Sequence, residues 1–299
     1  MKRLPHRPPE RTLPEGPGAR EFRGDDRAPR SGRPGRNPRQ EGRRRDGRDA
    51  GESPQGPGYV VPGWHATRAF VEARPAAVRR VLLSKEAPED VARAVRAEGI
   101  PVEQAEAAML DRLAGGVVTQ GVVALGVPPD PVDLRTLDPT RDRLVLALDG
   151  ITDPRNVGAI VRSAEAAGVS ALVMPRDRSP GWTPALVKAA AGATEWLPIA
   201  RVTNLARSLS DLSRAGYWIL GLDGDGEADL FDPAAIPGPP CVLVAGSEGS
   251  GLRELTRRGC HRVVRIPMKG RVESLNASVA VAIALFELRR REAASAGHP

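Results

Sequence analysis

From residue 59 onward, short unbroken apolar runs alternate with stretches in which apolar positions return every three to four residues. The runs have the length of strands and the spaced stretches have the period of helices. In the first part of this region the pattern predicts helices over residues 65–73, 88–98 and 107–114, with strands over 80–84, near Val102 and over 121–127. That is a small α/β unit, preceded by a short apolar stretch at Tyr59. Residues 128–143 carry four prolines and several Asp without periodicity, which reads as a linker. The pattern resumes at Leu144, with strands expected over 144–148, 171–174, 196–199, 218–222, 242–245 and 263–266. Helices are expected over 157–167, 184–191, 205–214, 252–258 and 275–290. These strands are apolar at every position, as parallel strands covered on both faces require, so the fold class is α/β with a largely parallel sheet. In the last helix Leu275, Val279, Ile283 and Phe286 form one stripe, which is expected to face the core.

Charge divides the chain differently. Residues 1–57 hold fifteen Lys and Arg against nine Asp and Glu, nearly all of the formal excess of +7. Rich in Arg, Pro and Gly, the segment cannot bury enough apolar surface to offset ordering, and it is expected to be a disordered basic tail with affinity for phosphate backbones. A solubilising extension fits the same composition. The expected division is therefore a tail (1–57), a small α/β domain (58–127), a linker (128–140) and a larger domain (141–299). No apolar run has the length of a membrane span and the N-terminus lacks the apolar stretch of a signal peptide, so a cytoplasmic protein without a membrane partner is expected. Cys241 and Cys260 suggest neither a disulfide framework nor a metal site. His6, His65, His261 and His298 lack ligand spacing, and the run from Asp223 to Asp229 fails the calcium-loop pattern because Ala228 stands where glycine is required. No metal is expected.

Three segments of the larger domain fall at predicted strand ends, where open α/β sheets place ligands. In the first, residues 149–162, Asp153 or Asn156 can cap the following helix, and Arg162 is a charge on an otherwise apolar helix. A plain cap followed by a surface Arg would look the same. The second, residues 242–251, runs from a buried strand into Gly246-Ser-Glu-Gly-Ser-Gly251, with Glu248 at the turn. Its glycines expose backbone amides, but their order matches neither a dinucleotide fingerprint nor a phosphate loop, and a serine-hydrolase elbow is lacking. A bulky residue at Gly246 is expected to block the ligand and leave the fold intact. In the third, residues 266–280, Ser274 can cap the last helix, and Asn276 offers a donor and an acceptor beside it.

In this order and near this spacing, Asn156-Val-Gly-Ala-Ile-Val-Arg162, Gly246-Ser-Glu-Gly-Ser-Gly251 and Ser274-Leu-Asn-Ala-Ser resemble the three signature motifs of the SpoU family of RNA 2′-O-ribose methyltransferases. The ordered triple is far more specific than any one motif. Residues 58–127 look like the small RNA-substrate-binding domain that often precedes such enzymes, and the whole is most similar to those acting on guanosine of 23S rRNA. Members of that group usually carry His-Gln-Gly near the end of the small domain; here the residues are Thr119-Gln-Gly121. The resemblance implies a C-terminal trefoil knot, a homodimer, and S-adenosyl-L-methionine held by the positions matching Gly246, Ile266 and Leu275. It also implies catalytic roles among Asn156, Arg162, Glu248, Ser274 and Asn276.

Methyl transfer to a ribose hydroxyl requires that a weakly acidic group be oriented and relieved of its proton. The family view makes Arg162 the base. Guanidinium groups stay charged, however, so pairing Arg162 with the target phosphate and the developing alkoxide, with Glu248 and Asn156 holding the fork and the ribose, is the expected arrangement. The same activity on transfer RNA, and a catalytically silent RNA-binding or ribosome-assembly protein, are the alternatives.

Overall fold

A computed structural model describes residues 58–234, 236, 238–247 and 249–295. The tail (1–57), His6, His298 and Glu248 lie outside the described residues.

The small sheet comprises β1 (Tyr59–Pro62), β2 (Val78–Leu83), β3 (Val102–Gln104) and β4 (Val122–Gly126), with α1 (Trp64–Ala73), α2 (Glu89–Ala97) and α3 (Ala107–Leu113) between them. Its strand order is β1-β4-β2-β3, antiparallel except for β2 with β3. Alternation decides which face each residue covers: Val81, Leu83, Val122 and Ala124 meet the core that includes α2, whereas Leu82, Val123 and Leu125 pack with Leu110 of α3. The apolar stretch at Tyr59 is thus a strand.

The larger sheet is built from β5 (Leu144–Asp149), β6 (Ala171–Pro175), β7 (Ile199–Val202), β8 (Trp218–Leu222), β9 (Ala228–Asp229), β10 (Cys241–Gly246) and β11 (Arg262–Arg265). The helices are α4 (Pro154–Ala166), α5 (Pro184–Ala190), α6 (Leu205–Arg214), α7 (Glu254–Arg258) and α8 (Ala277–Ser295). The order is β7-β6-β5-β10-β8-β11-β9, and every pairing is parallel. Residues Leu144, Leu146 and Leu148 pack under α4, α5 and α8, while Val145 and Ala147 pack against α6 on the other face. Burial on both faces explains the unbroken apolar runs. No helix of the described residues is long and apolar enough to cross a membrane.

Three expectations change. Residues 193–195 form a 3-10 turn and β7 starts at Ile199 rather than at 196, leaving Trp196 half exposed. Helix α8 begins at Ala277, and Asn276, not Ser274, caps it: its Oδ1 accepts the Ser278 amide at 2.9 Å. The stripe predicted to face the core does so only in part, Ile283 alone of its α8 positions packing against it. Ala277, Val281, Ala284, Leu285 and Leu288 are buried, whereas Val279 and Phe286 are 47% and 53% exposed. The helix is apolar on opposite sides, and periodicity alone cannot choose between two apolar faces.

The buried side of α8 also carries Glu287, which accepts hydrogen bonds from Arg290 and Arg291; the Arg290 bond is the main cause holding its carboxyl down at about 2. Arg291 in turn donates to the Leu230 carbonyl at 2.5 Å, tying the helix to the segment after β9. Because the folded-state value lies below the ordinary 4.5, this stabilisation is present above about 4.5 and is lost as pH falls through about 2. Glu287→Gln should therefore lower unfolding free energy by about 1–3 kcal/mol at neutral pH. Urea titrations at decreasing pH should show the deficit shrinking over that interval.

Candidate active site

Strands β5, β8, β10 and β11 run parallel, so the segments that leave their carboxyl ends emerge at one edge of the sheet. After β5 the chain turns into α4, whose first free amides are met by Asp153: its Oδ1 accepts the Arg155 N–H at 2.8 Å. That resolves the choice of cap in favour of Asp153 and leaves the Asn156 side chain available for other contacts. Asn276 Nδ2 donates to Asn156 Oδ1 at 2.9 Å, joining the first and third sequence segments across 120 positions. Arg162 lies further along α4, exposed and without a hydrogen-bond or ion-pair partner among the described residues.

The second segment is held by its neighbours. Ser247 and Gly251 exchange backbone hydrogen bonds at 3.0 and 3.1 Å, closing a tight turn at the exit of β10. The next two amides would be orphaned ahead of α7, and each finds a carboxylate on a flanking strand. Asp223, just after β8, accepts from Leu252 N–H at 2.8 Å; Asp149, the last residue of β5, accepts from Arg253 N–H at 2.8 Å. The same arginine places its guanidinium Nε 2.9 Å from the other oxygen of Asp149, as an ion pair without hydrogen-bond alignment, so that carboxylate, only 1% exposed, is matched by charge. Arg257 Nη1 stands 3.3 Å from Asp223 and its Nη2 donates to the Asp225 carbonyl at 2.9 Å.

Between residues 222–225, the β10 turn, residues 266–275 and the first turns of α8 opens a cleft of about 560 Å³. Gly246, Ile266, Ser274 and Leu275 line it, together with Asp223, Asp225, Met268 and Arg257. Asn156 and Arg162 are not part of its lining. The residues that sequence reasoning missed are the two aspartates. Asp223 was visible only as part of a failed calcium loop, and Asp149 only as the opening residue of the first segment, with no role of its own. Among the described residues no group of His, Cys, Asp and Glu is arranged to hold a metal. Burial pushes both thiols, Cys241 and Cys260, up to about 12, which suits packing rather than reactivity.

Gly246 also takes on a role different from the expected one. A Cβ built there would lie 2.2 Å from the Gly251 carbonyl carbon and 2.5 Å from the Leu252 nitrogen. The glycine is needed first so that the turn can close on itself, and a larger residue cannot be expected to leave that turn intact.

A parallel sheet with strand-end loops wrapped around a cleft of backbone amides and apolar side chains, beside an Asn and Arg patch, defines an α/β enzyme of the cofactor-binding class. Residues 143–286 match the SpoU rRNA Methylase family, and residues 60–132 match the domain described as RNA 2'-O ribose methyltransferase substrate binding. The chain is 40% identical over 240 residues to the 23S rRNA (guanosine-2'-O-)-methyltransferase RlmB of Pseudomonas putida, covering 77% of this chain and 96% of that one. It belongs to the SpoU methylase family. Among solved structures, the SpoU methyltransferase AviRb from Streptomyces viridochromogenes superposes with a TM-score of 0.68 at 26% identity, over 80% of this chain and 91% of that one. The same enzyme in complex with the cofactor AdoMet gives 0.65 at 28% identity, over 78% and 89%.

Gly246→Ala should destabilise the protein by about 1–3 kcal/mol through overpacking. Hydrogen exchange at the Leu252 and Arg253 amides should accelerate more than exchange in β5. Unchanged exchange at those two amides would mean that the turn tolerates a Cβ and that Gly246 is not what closes it.

Proposed function

We propose that this chain transfers the methyl group of S-adenosyl-L-methionine to the ribose 2′-hydroxyl of a guanosine in 23S rRNA. The observation that carries the proposal is the Asn276–Asn156 hydrogen bond, because it sets the first motif beside the cleft that the second and third motifs enclose. The identity and coverage shared with RlmB of Pseudomonas putida support the choice of guanosine and of 23S rRNA.

The cleft suits the cofactor. Its volume lies in the range of small-molecule sites, and apolar Leu222, Ile266, Leu275 and Val281 face carboxylates and turn amides across it. Gly246, Ile266 and Leu275 hold the cofactor mainly through backbone groups. When bound, it supplies a methyl carbon already activated by the adjacent sulfonium. The protein's own task is to bring the nucleophile in line. Asn156, steadied by Asn276, orients the ribose, and Arg162, which has no carboxylate of its own among the described residues, pairs with the phosphate and the developing alkoxide. Glu248, outside the described residues, is assigned to steady the Arg162 fork, Ser274 lines the cleft, and the proton leaves to the phosphate or to water.

The larger domain spans 141–299 and ties its C-terminal part into a trefoil knot; the strand order β5-β10-β8-β11 and the packing of α8 against α4 and β10 support that threading. The small domain (58–127) grips RNA, the linker is 128–140, and the basic tail (1–57) adds phosphate contacts that depend on salt. The enzyme works in the cytoplasm as a homodimer. Exposed Val279 and Phe286 on α8 supply an apolar face for the second copy.

Tritium from labelled cofactor should appear at a 2′-oxygen of guanosine in 23S rRNA that lacks the modification. Single-turnover transfer should fall about a hundredfold or more in Arg162→Ala, and by less in Arg162→Lys, which keeps the charge and loses the bidentate fork. A rate that tracks one ionisation in wild type and loses it in the Lys variant would make Arg162 the base and defeat the clamp.

A further inference from the structure

The two domains meet at a built polar centre that the chemistry above does not use. Glu195, in the 3-10 turn ahead of β7, has a side chain only 1% exposed. Every partner that reaches it from across the interface belongs to the small domain. The Tyr59 hydroxyl donates to Oε1 at 2.5 Å, and Arg74 donates to Oε2 through Nε at 2.9 Å and Nη2 at 2.6 Å. Thr194 adds its hydroxyl, 3.0 Å from that of Tyr59. The remaining Arg74 nitrogen, Nη1, donates to the Val127 carbonyl at 3.1 Å, just where the chain leaves β4 for the linker. Tyr59 is wedged edge-on between Phe70 of its own domain and Trp182 of the other.

Two further contacts join the domains away from this point. Gly192 has φ +99° and lies under α1, so close that a Cβ there would stand 2.5 Å from that of Ala69. Near the start of α1, beside Gly63, Lys188 of α5 donates to Gln120 Oε1 at 2.9 Å, in the loop before β4. The linker itself is fastened, through the Val132 amide to the Ile199 carbonyl at 3.0 Å and through Leu134 and Leu137 against the α6 core. A buried carboxylate left without these partners would be strongly unfavourable, so separation of the domains at this seam is opposed by more than apolar contact.

We propose that Glu195, gripped by Tyr59 and Arg74, is a positioning residue that fixes the small domain at one angle, so that RNA held there meets Arg162 and Asn156 at a set distance. This rests on the reading that the small domain holds RNA. On that basis the two domains select their target as a rigid pair, by the span between the held RNA and the reacting ribose. Glu195→Gln would leave the cofactor cleft untouched, because no residue of this cluster lines it.

The test compares the full chain with Tyr59→Phe, Arg74→Lys and Glu195→Gln, using unmethylated 23S rRNA and calorimetric titration with S-adenosylmethionine. For Glu195→Gln the KM for RNA should rise about tenfold, while kcat at saturating RNA and cofactor affinity stay at wild-type values. Tyr59→Phe, which keeps the ring and removes one hydroxyl, should show a smaller rise, and so should Arg74→Lys, which keeps the charge and loses the second donor to Glu195. Small-angle scattering should show a larger maximum dimension for Glu195→Gln. KM unchanged in all variants, or KM and cofactor affinity moving together, would overturn the proposal; if Glu195→Gln does not fold, Tyr59→Phe decides. Wild type inactive on every RNA would instead sink the proposed activity, and scattering alone would then judge the fixed angle.

Discussion

The exit of β10 is the constraint around which the cleft is organised. That strand is buried on both faces between β5 and β8, so the chain leaving it has no freedom to drift and must reverse at once into α7. A reversal of this kind strands backbone amides, and a stranded amide is unfavourable wherever water cannot reach it. Asp149 and Asp223 resolve the problem from the two flanking strands, each accepting one amide at 2.8 Å. The turn is therefore fixed by the sheet itself. Its amides keep their directions because their carboxylate partners sit at the ends of strands, among the least mobile positions a fold offers.

A second dependence runs between the domains. One continuous apolar cluster includes Tyr59, Val61 and Phe70 of the small domain together with Leu186, Ala193 and Leu197 of the larger one. Apolar contact alone resists separation but is tolerant of sliding, since it has no preferred direction. The hydrogen bonds to Glu195 supply the direction that the apolar cluster lacks. This division of labour explains why a carboxylate occupies a buried position at a seam that Leu or Met could have filled more cheaply.

How much of this was legible in the sequence depended on whether a feature is local. Strands β5, β8 and β10 announce themselves because burial on both faces leaves no polar position, and α6 spans 205–214 as its periodicity indicates. The α8 stripe failed in part for the opposite reason: the helix has apolar residues on two sides, and only the packing against α4 decides which side is covered. The segment before β7 failed because Trp196 continues an apolar pattern while the backbone is still turning out of residues 193–195. Within the site, motif positions could be read from the chain, whereas Asp149 and Asp223 could not. Each serves an amide that is 104 or 29 positions away, and no local spacing encodes such a pairing.

The distribution of cations follows from the same accounting of partners. Arg253 and Arg257 border the β10 turn, yet both are bound to carboxylates, so their charge is already balanced within the fold. Arg155 and Arg162 on α4 have no such balance among the described residues, and both are exposed. A guanidinium neutralised by a fixed aspartate gains little from a phosphate, because the new pair must compete with the old one. A guanidinium on a rigid helix keeps its fork geometry. The arrangement thus separates two groups of arginine: those beside the turn are tied to carboxylates of the sheet, and those on α4 have no carboxylate partner among the described residues.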